Sequence, residues 1–95
     1  MFRPAFYALA RLQARAALRR QGHGFFRISE IMEAAEDDLI DVAAEEAGVT
    51  AEQAGAVTVA LGDGKIIDAI LGFFRSEQGQ ALIAALIKLL LGFIG

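Results

Sequence analysis

The segment QALIAALIKLLLGFIG, residues 80–95, holds a single charged side chain, Lys88, in an otherwise apolar run opened by Gln80. The spacing predicts a helix over 81–94, and the composition requires that helix to be hidden in protein or in lipid. On a helical wheel Ala81, Ala84, Ala85, Lys88 and Gly92 gather on one narrow face. Leu82, Ile83, Leu86, Ile87, Leu89, Leu90, Leu91, Phe93 and Ile94 occupy the remainder, roughly 200° of arc. The small face suits close approach of another helix. Three settings would hide the large one: the chain's own core, another subunit, or a bilayer with Lys88 reaching the headgroups. The core of a small bundle ranks first, because apolar helices of about 10–14 residues are more often core than membrane. Length opposes a straight membrane span. Fifteen residues rise roughly 22 Å at about 1.5 Å each, against about 30 Å of hydrocarbon. A continuous helix from Lys65 would be long enough, but it would carry Arg75, Glu77, Gln78 and Gln80 into the bilayer at high cost.

The rest of the chain has to supply the cover. Ninety-five residues make one domain at most. There is no cysteine, so neither disulfides nor thiolate metal sites can reinforce a small core. Apolar residues reach 56%, above the roughly 45–50% of ordinary globular domains. A short chain with this excess points to a partner, an oligomer or a membrane.

Charge is laid down in blocks. Residues 1–28 carry six arginines and no acid, residues 29–52 carry nine acids and no base, and residues 53–95 carry three of each sign. The net charge of −3 conceals this asymmetry, and such blocks mark interaction surfaces or internal pairing. The first 21 residues are Arg-rich, acid-free and amphipathic, the composition of an organellar transit peptide. A secretory signal fits poorly, since Ala5–Ala10 is short and Arg11 interrupts it.

Helix signals run along the whole length. Pro4 suits a first helical turn, and a helix over Pro4–Gln21 sets Phe2, Phe6, Leu9, Leu12, Ala16 and Ala17 on one side. Arg11, Arg15 and Arg19 form a stripe on the other. Gly22-His23-Gly24 ends it, and Phe25 and Phe26 follow as expected core anchors. A second helix is expected from Ser29 as N-cap to Ala47, stopped by Gly48. Its apolar face would be Ile31, Met32, Ala35, Leu39, Val42 and Ala43, and its acidic face Glu30, Glu33, Asp37, Asp41 and Glu45. Thr50-Ala51-Glu52-Gln53 reads as a capping box opening a third helix to Leu61. A hairpin turning at Gly62-Asp63-Gly64 is the rival over residues 55–67, and helix is preferred. A fourth helix covers Lys65–Phe74, and Arg75–Gln80 reads as a link or a wet turn.

Catalytic chemistry finds little purchase. A hydrolytic constellation needs a nucleophile and a base. The one histidine, His23, lies between two glycines in an expected turn. Asp37 and Asp41 stand one helical turn apart, without the alternating acids and central glycine of a calcium loop. Gly62-Asp63-Gly64-Lys65 fails as a phosphate loop, because its glycines are misplaced and Ile66 stands where a magnesium-binding Ser or Thr is needed. Residues 41–61 resemble a helix-turn-helix in outline, with Ala43, Ala44, Gly48 and Val57 at fitting positions. The second helix of that motif would carry Glu52 and no base, so binding to nucleic acid is disfavoured.

The sequence therefore predicts an all-α chain of four or five short helices, as a small helical bundle or an extended helical assembly subunit. Residues 1–28 form an Arg-rich amphipathic N-terminal helix, residues 29–64 an acidic helix plus a short capped helix, and residues 65–95 an apolar C-terminal helical segment. The expected role is a non-catalytic structural subunit of a larger assembly, with membrane apposition as one form of it. The alternative is a soluble regulatory or adaptor domain with a helix-turn-helix-like core. Expected contact residues are Arg11, Arg15 and Arg19, then Asp37, Asp41 and Glu45, and on the C-terminal helix Leu82, Leu86, Leu89, Leu90 and Phe93. The two charged ladders share a four-residue pitch and are expected to face one another within the chain or between copies. Partners are further copies or other protein subunits, with an anionic membrane surface as a candidate for the arginine stripe; no cofactor or metal is expected.

Overall fold

A computed structural model describes residues 4–50 and 72–94. Four helices are traced in full, Pro4–Arg20 (α1), Phe25–Met32 (α2), Asp37–Ala47 (α3) and Glu77–Ile94 (α4), and residues 72–75 are helical as well. No strand occurs among the described residues, and the fold is all-α as expected. The expected helix or hairpin over 55–67, the third helix and the Gly62–Lys65 turn lie outside the described residues.

Glycine stops close α1 and α3 in the same way. Gly22 adopts φ 92 and Gly48 φ 74, backbone conformations that side chains with a Cβ resist. After α1, the Gly22 N–H donates to the Arg19 carbonyl (3.0 Å) and the His23 N–H to that of Leu18 (3.2 Å). After α3, the Gly48 N–H donates to Glu45 (3.1 Å) and the Val49 N–H to Ala44 (2.9 Å). Both are Schellman motifs, and both satisfy carbonyls that the helix end would otherwise orphan. Arg19 and Arg20 in the last turn of α1 favour its negative end.

The expected second helix is two helices. Ser29 does not cap it; α2 starts at Phe25, with Gly24 as N-cap, and the helix breaks over 33–36. There the Ala34 and Ala35 N–H groups turn to the carbonyls of Ile31 and Met32, and Glu36 goes extended at ψ 163 to become the N-cap of α3. The acid run explains the break. In an unbroken helix, Glu33, Glu36, Asp37 and Asp38 would sit mid-helix with no base beside them. Splitting it places Asp37 and Asp38 in the first turn of α3, at the positive end of its dipole. The break also resets the helical phase. Ile28 and Ile31 bury one face of α2, but in α3 the buried residues are Ile40, Ala43 and Ala44. Leu39 is left half-buried and Val42 44% exposed, where a continuous helix would have turned both inward.

Two further expectations are corrected. The buried side of α1 is Phe6, Tyr7, Ala10, Ala14 and Leu18, flanked by Leu9 and Ala17, while Leu12 is 61% exposed. Small residues at 10 and 14 let neighbouring helices approach, so this stripe wins over the one through Leu12 and Ala16. Phe25 and Phe26 are not core anchors. They are 67% and 86% exposed and meet each other edge-to-face at 5.6 Å, because Ile28 and Ile31 take the inward phase of α2.

Of the two forms expected for residues 75–80, the wet helical turn applies: residues 77–80 open α4, with Glu77, Gln78 and Gln80 exposed. Ser76 alone forms the joint between two helices. Its hydroxyl donates to the Phe73 carbonyl and accepts from the Gly79 N–H (3.2 Å), while its carbonyl accepts the Gln80 N–H (3.0 Å). One side chain thus ends the incoming helix and caps α4, whose Glu77 favours the positive end. Phe73 stacks edge-to-face on Phe6 at 5.9 Å, tying the joint to α1. Gly79 is buried against the same backbone, and a Cβ there would overlap the Phe73 carbonyl and lie 2.7 Å from the Phe74 Cα.

Helix α4 fills the centre. Leu82, Leu86 and Leu90 are fully buried, and Ile83 and Ile87 nearly so. Among the described helices it packs most extensively on α3 and also against α1 and α2. Of the three settings that would hide it, the chain's own core applies. The small face expected to receive another helix points outward instead: Ala81, Ala84, Lys88 and Gly92 are exposed and Ala85 is half-buried. Among the described residues no helix is long and apolar enough to cross a membrane, and no charged side chain is buried.

This arrangement has measurable consequences. Leu86→Ala should lower unfolding free energy by about 2–5 kcal/mol in urea titration, as a buried leucine deletion that leaves a cavity. Gly79→Ala should cost about 1–3 kcal/mol, since backbone must move to admit the methyl. Gly92→Ala, with open space around it, should instead raise stability by up to about 1 kcal/mol, since alanine is favoured over glycine within a helix. A chain ending at Gly79 should lose the far-UV circular dichroism of α1–α3 together with that of α4.

Candidate functional site

The joint between α2 and α3 faces α1, and Arg11 meets it. The Arg11 Nε donates to the Ala35 carbonyl (2.9 Å), a backbone group left without a helical partner by the break. Its Nη2 pairs with the Asp37 carboxylate. One turn earlier on α1, the buried Tyr7 donates its hydroxyl to Asp41 Oδ1 (2.8 Å). A single guanidinium therefore holds a carbonyl within the break and a carboxylate at the start of α3. The Asp37 pair is partly exposed and contributes at most about 1 kcal/mol. The part-buried bond to Ala35 contributes a further ~1 kcal/mol or more.

These two contacts decide the fate of the expected charge ladders. Arg11 meets Asp37 and Tyr7 meets Asp41, so the index falls along α1 as it rises along α3. The helices run antiparallel. Helices that fold back on one another could still match the two rows, but the register sets Arg11 opposite Asp37, at the start of α3, and Tyr7 opposite Asp41, so one pair of the ladder forms. Arg15 is half-buried and Arg19 exposed, and among the described residues neither makes an ion pair. Glu45 is exposed. Tyr7 went unnoticed in the sequence although it continues the stripe of Arg11, Arg15 and Arg19 one turn toward the N-terminus. Among the described residues no three His, Asp or Glu side chains converge as a metal site would require.

The contact residues expected on α4 divide. Leu82, Leu86 and Leu90 are enclosed by the chain itself, Leu89 is half-buried, and Phe93 is 70% exposed. Phe93 stands over an open cleft of about 380 Å3 shared with Ala34, Glu36, Asp38, Leu39 and Val42. This is an acidic edge with an apolar floor, made by the phase reset of α3 and the end of α4. Phe25 and Phe26 form a second exposed apolar spot at the start of α2.

A cleft of about 420 Å3 of opposite charge lies along α1 and the first half of α4. Ala17, Phe74, Ile83 and Ile87 form its floor, and Arg20 and Arg75 stand at its rim with three glutamines. Among the described residues no acid lines it and neither arginine is in an ion pair. Neither arginine was marked out by the sequence, because 20 and 75 are far apart in the chain and only the packing of α1 against the Ser76 joint unites them.

The chain matches no protein-family model, no curated protein and no solved structure, so the reading of its function rests on these surfaces.

The role of Arg11 can be separated from that of its neighbours on the stripe. Arg11→Met should lower stability by about 1–2 kcal/mol in denaturant titration, whereas Arg15→Met and Arg19→Met should each stay within about 0.5 kcal/mol. Tyr7→Phe should cost about 1 kcal/mol by leaving the Asp41 carboxylate without its donor.

Proposed function

We propose that this protein is a non-catalytic structural subunit of a larger protein assembly. The observation that carries the reading is the set of large apolar side chains left in solvent around a filled core. Phe25 and Phe26 are exposed together, and Val42 and Phe93 are exposed together above Glu36 and Asp38. Scattered single apolar residues are ordinary on protein surfaces, but clustered ones rimmed by charge mark contact surfaces. Aromatic side chains are also the residues that dominate protein interfaces. With no cysteine and one histidine, the composition favours contact over covalent chemistry. The large face of α4 is already covered within the chain, which supports protein rather than lipid as the partner.

The second reading, a regulatory or adaptor domain with a helix-turn-helix-like core, draws on the exit from α3. Gly48 at φ 74 and the buried Val49 make the tight turn such a core needs. Its second helix, over 51–61, falls outside the described residues.

The mass of the full chain in detergent-free solution separates the two. A defined oligomer is expected, and Phe26→Ser or Phe93→Ser should reduce it at unchanged circular dichroism. A dispersed monomer at every concentration, alone and with its co-expressed neighbours, would defeat the assembly reading and favour the adaptor.

A further inference from the structure

We infer that the Arg20–Arg75 cleft is the receptor for the acidic edge of a second copy, with Phe93 of that copy as the side chain it takes in. The inference rests on the assembly reading and names the surfaces it would use.

The two clefts are complementary in each respect that the structure exposes. One has a floor of Ala17, Phe74, Ile83 and Ile87 and a rim bearing Arg20 and Arg75, with no acid. The other presents Phe93 beside Leu39 and Val42, with Glu36 and Asp38 and no base. A phenyl ring on the first floor would cover the apolar surface that remains exposed there and would meet Phe74. The two guanidiniums would stand within reach of both the ring face and the carboxylates. Opposed charges at such a rim steer the encounter and fix its register more than they add affinity.

The same geometry prevents a molecule from satisfying itself. The clefts sit at opposite ends of α4, with Ile83 and Ile87 lining one and Phe93 the other. The ten residues from 83 to 93 rise about 15 Å along a helix axis, and the packed core holds that helix rigid. The contact is therefore heterologous, joining unlike surfaces of two copies. Contacts of that type propagate, into a ring when the rotation closes and into an open filament when it does not.

The test uses the full-length chain in sedimentation velocity over a concentration series. Wild type should grow beyond a dimer. Arg20→Glu with Arg75→Glu should weaken self-association about tenfold or more, and so should Phe93→Ser. Both changes lie at exposed positions, so circular dichroism should match wild type, and the urea midpoint should fall only slightly, through the reversed charge of Arg20→Glu at the end of α1. Mixed together, the two defective chains should form a one-to-one dimer and stop there, because one retains its edge and the other its cleft. Association of wild type that ignores the arginine reversals would overturn the inference while leaving the assembly reading in place. A monomeric wild type whose binding to vesicles of anionic phospholipid is abolished by the same reversals would overturn it in favour of lipid. A wild type that is monomeric and binds no such vesicle would overturn it as well.

Discussion

The structure depends on one requirement, that the apolar helix α4 be covered on several sides at once. A helix with Leu, Ile and Phe around most of its circumference cannot be hidden by a single neighbour. Three of the described elements share the work. Helix α3 makes the broadest contact, with α1 and α2 beside it. One straight acidic helix over 29–47 would offer α4 a single line of contact. The break over 33–36 turns it into two shorter pieces whose buried faces, Ile28 and Ile31 on one and Ile40, Ala43 and Ala44 on the other, need not share a phase. Arg11 then closes the break from α1 by taking the Ala35 carbonyl and the Asp37 carboxylate. Covering the greasy helix and breaking the acidic one are thus two sides of the same arrangement.

What could be read from the sequence was whatever depends on local periodicity. The start of α1 at Pro4, the stops at Gly22 and Gly48, and the apolar character of residues 81–94 all follow from spacing and residue type. What escaped was what depends on phase and direction in three dimensions. A four-residue pitch on two helices says nothing about their register, and the packing sets Arg11 opposite Asp37 and Tyr7 opposite Asp41, so only one pair of the two ladders meets. The phase of α3 relative to α2 could not be seen without the joint between them, so Leu39 and Val42 were set in the core in place of Ile40. Phe25 and Phe26 were misjudged for a simpler reason. Large aromatics next to a helix start are core by habit, but Ile28 and Ile31 had already claimed the inward side.

The charge blocks acquire a meaning in space that they lack along the chain. The nine acids of residues 29–52 do not meet the six arginines of residues 1–28 as two zippered rows. Most of the acids whose placement is described are exposed, and those beside Val42 and Phe93 border apolar surface. Arg20, from the basic block, is instead joined by Arg75 from the far side of the chain. Segregation by sequence becomes polarity along the length of α4, with one sign near each end. The fold consumes the leucines of α4, and the clefts that stay open lie toward its two ends.

The placement of α4 in the order of the chain has a consequence for biosynthesis. Of the described helices it is the last to be made, yet it covers α1, whose Phe6 lies against Phe73 across most of the sequence. Contacts between such distant positions are slow to form, because the intervening chain must first be ordered. While a ribosome extends the polypeptide, the faces of α1, α2 and α3 that pack on α4 therefore wait for the segment after Ser76 to emerge. The nascent chain passes through a stage with open apolar faces, and a chaperone or an already completed neighbour would meet those faces before α4 does.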